Sequence, residues 1–533
     1  MIRPTNPAET SARWPARLIE AALALHDNRL ADAEPRLRAH LRDDPFDIAA
    51  IRMMAELAGR IGRYKDAEAL LRRALDLSPD FTAARANLAV VLHRLNRPAE
   101  AIAELNIVTQ DEPDHPGHAN LKAAALGRIG GFDEAITLYE QVLAQMPRQP
   151  RIWMSYGHML KTVGRQADGI AAYRHALDLA PTLGEVWWSL ANLKTIRFDD
   201  VDIAAMEAAL EQPDISVEDR FHLDFALGKA YEDRRDAEAA FRHYAAGNGL
   251  RRTTVRYDAD ETERFVDDSI ATFTAELFAA RAGQGCPAPD PIFILGMPRA
   301  GSTLVEQILS SHSLVEGTSE LPDIPALART IAEYPVGIAA LSADDLAAMG
   351  AEYLKRAAIQ RRTDKPFFID KLPNNWARAG LIRLILPNAK IIDARRHPLG
   401  CCFSNFKQHF ARGQAFSYDL VEMGRYYRDY VRLMDHLDTA MPRPPHRVLY
   451  EAMVDDTEAQ VRALLAACGL DFEPACLAFY ETERAVRTAS SEQVRRPIFS
   501  EGKAAWQPFE RWLTPLKTAL AGSLSAYPGI SAS

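Results

Sequence analysis

Long apolar runs are missing from this 533-residue chain, and none approaches the length that a bilayer-spanning helix needs. The opening stretch MIRPTNPAETSARWPARLIEAAL has neither the apolar core nor the small-residue cleavage site of a secretory signal, so the expected compartment is the cytoplasm. Cysteine is scarce. The five residues Cys286, Cys401, Cys402, Cys468 and Cys476 are odd in number and lack zinc-ligand spacing, so neither a disulfide framework nor a metal site is expected. Cys401 and Cys402, adjacent on a helical stretch, are expected to face different ways with one in the core. Positive charge is not in excess either: a formal charge of −9 argues against a general nucleic-acid binder and leaves room only for a local basic pocket. What remains is a globular composition, 48% apolar and 25% charged, on a chain long enough for two or three domains.

The first half repeats itself. Proline recurs at Pro45, Pro79, Pro113, Pro147 and Pro181, each 34 residues from the last. A second ladder with the same period runs through Asn28, Gly62, Asn96, Gly130 and Gly164, and a third through Ala33, Ala67, Ala101 and Ala135. Gly or Asn accepts the left-handed conformation that ends one helix, a small alanine lets the next helix pack closely, and proline breaks the chain between units. Such two-helix units stack into an all-α solenoid with a concave groove suited to an extended peptide. Less regular helical sequence continues to about Ala280, and Phe225 to Gly247 reads as one more degenerate unit.

The second half is organised around PIFILGMPRAGSTL, Pro291 to Leu304. An apolar run, a loop punctuated by Gly296 and Gly301, and a helical pattern through Val305, Ile308 and Leu309 read as strand, glycine loop, helix. Successive backbone N–H groups and a helix dipole then point at one spot, a ready site for an oxyanion. Ser302 stands where an ATP-binding P-loop has its lysine, and the nearest cation is Arg299, which points to a different anion in a related cradle. The Gly- and Pro-rich segment 281–290 reads as a linker, giving a helical repeat domain over 1–280 and an α/β domain over 291–533.

Further apolar runs deliver Asp370 and Lys371, and then Arg395 and Arg396. Strands alternating with helices argue a parallel sheet whose ligands sit beyond the carboxyl ends of its strands. Arg299, Lys371 and Arg396 therefore converge on the edge that carries the glycine loop, and Ser404, on the helix after Arg396, completes a grip on phosphate from two sides.

These residues carry a resemblance. The proline, glycine and alanine ladders, with Trp153, Tyr156 and Gly157 and again Trp187, Leu190 and Ala191, resemble the tetratricopeptide repeat over about Leu18 to Lys194. PRAGST, an acidic motif ending at Glu320, DKLPNN, RRHP with Ser404 beyond it, and VLYE together resemble the sulfotransferase superfamily, nearest to bacterial sulfotransferases fused to such repeats and related to tyrosylprotein sulfotransferases. The resemblance implies a P-loop-like α/β sulfotransferase domain and a donor, 3′-phosphoadenosine 5′-phosphosulfate, used without a metal. It implies that Arg299, Ala300, Gly301, Ser302, Thr303 and Leu304 hold the 5′-phosphosulfate and that Arg396 and Ser404 hold the 3′-phosphate. Tyr450, Ser490 and Lys503 match positions near the nucleotide. Gln408 stands where relatives often place a second arginine, with Lys407 as a candidate substitute. Glu320 matches the catalytic glutamate of the tyrosylprotein relatives, with Lys371 at the leaving oxygen and Arg299 orienting the sulfate. His312 matches a structural position, and Glu316 and Asp323 are expected to be surface carboxylates. The implied acceptor is a hydroxyl, a protein tyrosine among the candidates, with the repeat groove binding the acceptor or a partner protein. The competing readings are an inactive repeat-based scaffold and a nucleotide kinase; the missing P-loop lysine and the lack of a magnesium-binding carboxylate motif count against the kinase.

Overall fold

The computed structural model describes residues 14–411, 413–482, 493–498 and 502–528, so Ser490 lies outside the described residues. The chain divides into two compact units, 1–179 and 180–533.

In the first unit, helices run from Ala16–His26 to Gln166–Leu179, each packing on the next. The three ladders have the physical roles their chemistry implies. Asn28, Gly62, Asn96, Gly130 and Gly164 all take positive φ, between 58° and 90°. The prolines lie in the connectors, Pro79 for example between Tyr64–Leu77 and Thr82–Arg94. Ala33, Ala67, Ala101 and Ala135 are each 0% exposed. At the next rung stands Gly169, where even a Cβ would lie 3.2 Å from the carbonyl oxygen of Gly157. Arg29, Arg63, Arg97 and Arg165 each pair with an acid three residues on; these pairs are exposed and mark the repeat more than they stabilise it.

The second unit opens with helices from Gly184–Ala191 to Ala275–Ala280. Val217–Asp233 and Ala237–Thr253 keep the repeat chemistry: Arg235 turns between them at φ 62°, and Gly228 seats the Tyr244 ring as Gly157 seats Tyr173. Their other contacts have been given over to the following α/β part. Asn248 donates to the carbonyl of Phe406 at 2.8 Å, Arg252 pairs with Glu422 at 2.7 Å, and Phe241 stacks on Trp512. The compact division therefore falls well before segment 281–290. That segment is itself anchored, since Cys286 N donates to the Ile385 carbonyl at 2.8 Å and a Cβ on Gly285 would meet the Leu384 carbonyl oxygen at 2.3 Å.

Five strands form the sheet: β1 (Pro291–Gly296), β2 (Val315–Ser319), β3 (Phe367–Lys371), β4 (Lys390–Arg395) and β5 (His446–Leu449). Their order is β2-β3-β1-β4-β5 and every pairing is parallel. β1 is buried along its whole length, as a central parallel strand covered on both faces must be. Ile292, Ile294, Ile369 and Ile392 join Val305, Ile308, Leu309 and Leu464 in one core, which fixes the first helix after β1 against the sheet.

Candidate functional site

Each of the five strands delivers one candidate at its carboxyl end. Glu320 follows β2, Lys371 ends β3, the loop Met297 to Gly301 follows β1, Arg396 follows β4 and Tyr450 follows β5. The strand order therefore sets Glu320 and Lys371 on one side of the glycine loop, and Arg396 and Tyr450 on the other. From β1 the chain leaves toward β2, and from β4 it leaves toward β5. The crevice between these two strand ends is thus the switch point where open parallel sheets bind ligands.

The loop is shaped by two left-handed residues, Arg299 at φ 65° and Gly301 at φ 96°, which turn it into the helix Ser302–Ser310. At Gly301 the Tyr450 ring comes so near that a Cβ would sit 3.0 Å from it. Gly296 has no room either, because a Cβ there would meet the Ala394 carbonyl oxygen at 2.3 Å. Residues 301–303 lie where intrahelical partners for N–H groups run out. Leu304 differs from them: its N–H already bonds the Gly301 carbonyl at 2.9 Å and its side chain packs on the core.

Two arginines close on this loop. Arg299 Nε donates to Ser404 Oγ at 3.3 Å and its Nη2 to Gln493 Oε1 at 3.4 Å. Arg396 donates through Nη1 to the Arg299 carbonyl at 3.2 Å and through Nη2 to the Gly502 carbonyl at 2.5 Å, and its guanidinium lies 4.7 Å from the centre of the Tyr450 ring. Arg396 Nε is buried with no partner among the described residues. Burial, and then the neighbouring Arg396 cation, lower the Arg299 guanidinium to about 10. Alternation along the strand end sends Arg395 elsewhere, to Asp393 at 3.0 Å and Asp435 at 3.1 Å.

On the other side of the loop, Lys371 is 1% exposed and donates to Glu320 Oε1, with Glu306 Oε2 3.9 Å away. Glu320 is open by contrast, its side chain 46% exposed. One lysine thus bridges a solvent-facing carboxylate and a buried one. Beside it, burial pushes the Asp370 carboxyl up to about 8, where it accepts from Tyr353 Oη at 3.0 Å. The turn after β3 also holds Asn375, 1% exposed, with neither amide atom paired among the described residues. The turn leads into a cleft of about 570 Å³ lined by Trp376, Arg378, Tyr426, Tyr257 and Phe265.

Two expectations need correction, those for Glu316 and for the cysteine pair. Glu316 is no surface carboxylate: it is 7% exposed and accepts the backbone N–H groups of Arg362 at 2.5 Å and Thr363 at 3.1 Å, because it lies on β2 beside the loop those residues form. Cys401 and Cys402 are both 0% exposed, since the helix Pro398–Phe406 is enclosed nearly all round. Lys407 is engaged by Glu232 at 2.5 Å, and Gln408 donates to Asn192 Oδ1 at 3.1 Å, so both face the helices 184–253. Lys503 pairs with Asp455 at 2.5 Å. His312 behaves as its structural match implies: Nδ1 accepts from Leu314 N at 3.1 Å and Nε2 bonds the Asp471 carbonyl at 3.0 Å, past the far end of the helix from the loop. The sequence reading missed Asn405, whose amide donates to the Pro298 carbonyl at 2.8 Å and fixes the loop from behind. Its place one turn along the helix from Cys401, which also bonds Pro298, was the available signal.

Comparison with known proteins places these features. Residues 291–474 match the family model described as the sulfotransferase family, and residues 62–125 and 120–183 match tetratricopeptide-repeat models. The chain therefore joins a sulfotransferase-family domain to tetratricopeptide repeats. An uncharacterized protein of Aquifex aeolicus (strain VF5) is 34% identical over 331 residues, covering 60% of this chain. The chain spans only 43% of that relative's length. Among solved structures, MamA of AMB-1 is 20% identical, covering 31% of this chain and 96% of its own, with a TM-score of 0.28. YrrB, titled a TPR protein with an unusual peptide-binding site, is 19% identical, covering 33% and 90%, with a TM-score of 0.29.

Proposed function

We propose that the protein transfers a sulfuryl group from 3′-phosphoadenosine 5′-phosphosulfate to an acceptor hydroxyl, with a protein tyrosine as the leading candidate. The observation that carries this reading is Arg396, a buried cation set beside the Arg299 cation at the glycine loop, with its Nε unpartnered among the described residues. Such a pair, next to a glycine-shaped helix start, is stabilised by an anion.

The donor's two anionic ends match this division of the sheet edge. The loop Arg299 to Thr303 takes the 5′-phosphosulfate, with Leu304 contributing only the helix behind it. Arg396 and Ser404 take the 3′-phosphate, and Tyr450 packs beside it. Lys503 and Ser490, which lie beyond the matched residues 291–474, are assigned to the same nucleotide side only on the sequence resemblance. Sulfuryl transfer requires a base for the hydroxyl proton and a cation for the charge that grows on the departing oxygen. Glu320, solvent-facing and bonded to Lys371, takes the proton; Lys371, anchored between Glu320 and Glu306, neutralises the leaving oxygen; Arg299 orients the sulfate. No metal is required, because these cations do the neutralising.

The acceptor side is served by the aromatic-lined cleft that continues from the turn after β3, and the groove of the repeats supplies binding for a peptide or partner protein. On this reading the helical sequence over 1–280 and the segment 281–290 precede a sulfotransferase domain from 291, with helices 184–280 serving as a packed support of that domain and not as a separable part of the repeats. A cytoplasmic location accords with five cysteines that are all free. The test is incubation with donor labelled in its sulfate, together with a lysate and a panel of tyrosine peptides, saccharides and phenols. Label is expected on a tyrosine-containing protein. Donor that binds but labels no acceptor in any class would leave a binding scaffold, and donor that fails to bind would remove the reading altogether.

A further inference from the structure

The connector between helices Pro98–Asp111 and Pro116–Ile129 departs from the repeat it belongs to. At the positions of Glu112, His115 and His118 the two preceding repeats carry Asp44, Asp47 and Ala50, then Ser78, Phe81 and Ala84, and the two following carry Met146, Gln149 and Ile152, then Ala180, Leu183 and Val186. Ala50 and Ala84 are buried packing residues, each 0% exposed, and Asp47 caps its helix by accepting two backbone N–H groups. His118 thus stands where every other of these repeats has an apolar residue, and His115 caps its helix through a ring nitrogen where Asp47 uses a carboxylate. No other of these repeats places a histidine at either position, and both fall in one turn with a glutamate.

The geometry brings the three together. Their ligand atoms all lie within 4.8 Å of one another, and Glu112 Oε2 is 3.4 Å from His118 Nδ1. A tetrahedral ion with bonds of about 2.0–2.2 Å sets neighbouring ligands about 3.3–3.6 Å apart, so that pair already spans one tetrahedral edge. The two imidazoles stack with centroids 3.9 Å apart and planes at 22°. His118 Nδ1 is buried and makes no hydrogen bond among the described residues, and its side chain is 16% exposed. His115 Nδ1 accepts the His118 N–H at 3.3 Å, a long bond that ligation by this ring would replace.

We infer that Glu112, His115 and His118 form a binding site for a divalent transition-metal ion of the zinc class, with water completing the coordination. Two imidazoles and one carboxylate suit Zn²⁺, Ni²⁺ or Cu²⁺ and disfavour Mg²⁺ and Ca²⁺, which take oxygen ligands. With two ligands flanking the connector, Glu112 at the end of one helix and His115 just before the next, and His118 on that helix's first turn, the ion staples one repeat's end to the next repeat's start. Three protein ligands on a surface turn hold an exchangeable ion, unlike the closed four-ligand sites of structural zinc.

The experiment uses the untagged full chain stripped by chelator and titrated with Zn²⁺ by calorimetry and with Co²⁺ by visible absorption. One equivalent is expected to bind with a d–d band and no thiolate charge transfer, and Zn²⁺ is expected to raise the melting temperature. His118→Ala restores the residue the two preceding repeats carry, so the fold is retained; it should weaken binding at least ~10-fold and abolish the thermal shift. Glu112→Gln should weaken binding in the same direction. No uptake by the wild-type chain, or uptake that His118→Ala leaves unchanged, overturns the site.

Discussion

Arg396 Nη1 donates to the carbonyl oxygen of Arg299 at 3.2 Å, and this bond ties the turn after β4 to the loop after β1. It joins two strand ends from which the chain leaves in opposite directions along the sheet. The loop therefore cannot adopt its left-handed turn at Arg299 independently of where Arg396 sits, and anion recognition is shared between two distant stretches of sequence.

Removing the shared cation tests that recognition. Arg396→Ala should cost ~1.5–3 kcal/mol of affinity for 3′-phosphoadenosine 5′-phosphate, as for a hydrogen bond to a charged group. Affinity for adenosine 5′-phosphate should change little. Calorimetry on both nucleotides reads the difference, and a wild-type chain that binds the two equally would contradict the assignment of the 3′-phosphate.

Glu320→Gln keeps the size of the side chain and an oxygen for Lys371 while removing the base. Under single-turnover conditions the transfer rate should fall ~10²–10⁴-fold with donor affinity nearly unchanged. A wild-type rate in this variant would move the base elsewhere.

Lys371 should matter to the fold as well as to the chemistry. It is buried against Glu306, which is 3% exposed, so Lys371→Met takes a countercharge away from a buried carboxylate and should lower the unfolding free energy by up to ~3–5 kcal/mol. The double variant Lys371→Met, Glu306→Gln should recover much of that loss in urea titrations. If the single variant is as stable as the wild type, the ion pair does not anchor the lysine.

Asp370 sets a pH dependence of known sign. Its carboxyl is raised to about 8 by burial, against ~3.9 for an unfolded aspartate, so between these values the folded chain holds a proton that the unfolded chain has released. The contribution of this group to stability is therefore present below pH ~4, declines as pH rises toward 8 at up to ~1.4 kcal/mol per unit, and is level above. Asp370→Asn mimics the neutral acid. Its stability relative to wild type should rise between pH 5 and pH 8.5, and a constant difference would show that Asp370 is ionised throughout.

The chain should also be cut where its contacts thin out. Residues 180–533 are expected to bind nucleotide as the full chain does, with residues 1–179 folding as a helical array without it. A cut at 288 removes the partners of Phe406, Gln408 and Lys407, so that fragment should lose binding or aggregate. Size-exclusion chromatography with nucleotide titration separates the two, and equal behaviour would mean that helices 184–280 are dispensable.

Much of this molecule was legible from spacing alone. A proline every 34 residues has to break a helix, an Asn or Gly before each second helix has to turn left-handed, and an alanine at a helix crossing has to be buried; all three hold in the described residues. The strand ends carrying Arg299, Lys371 and Arg396 were legible for the same reason, because an apolar run and its flanking charges are local. Strand order was not, since which parallel strands become neighbours is decided by crossovers of dozens of residues, and only that order separates Glu320 and Lys371 from Arg396 and Tyr450. Burial of a charge was equally hidden. Glu316 and Glu320 lie four residues apart in one acidic motif, yet the first is enclosed by the backbone of residues 362 and 363 and the second stays open to solvent beside Lys371, because enclosure depends on what packs over a side chain from elsewhere in the chain.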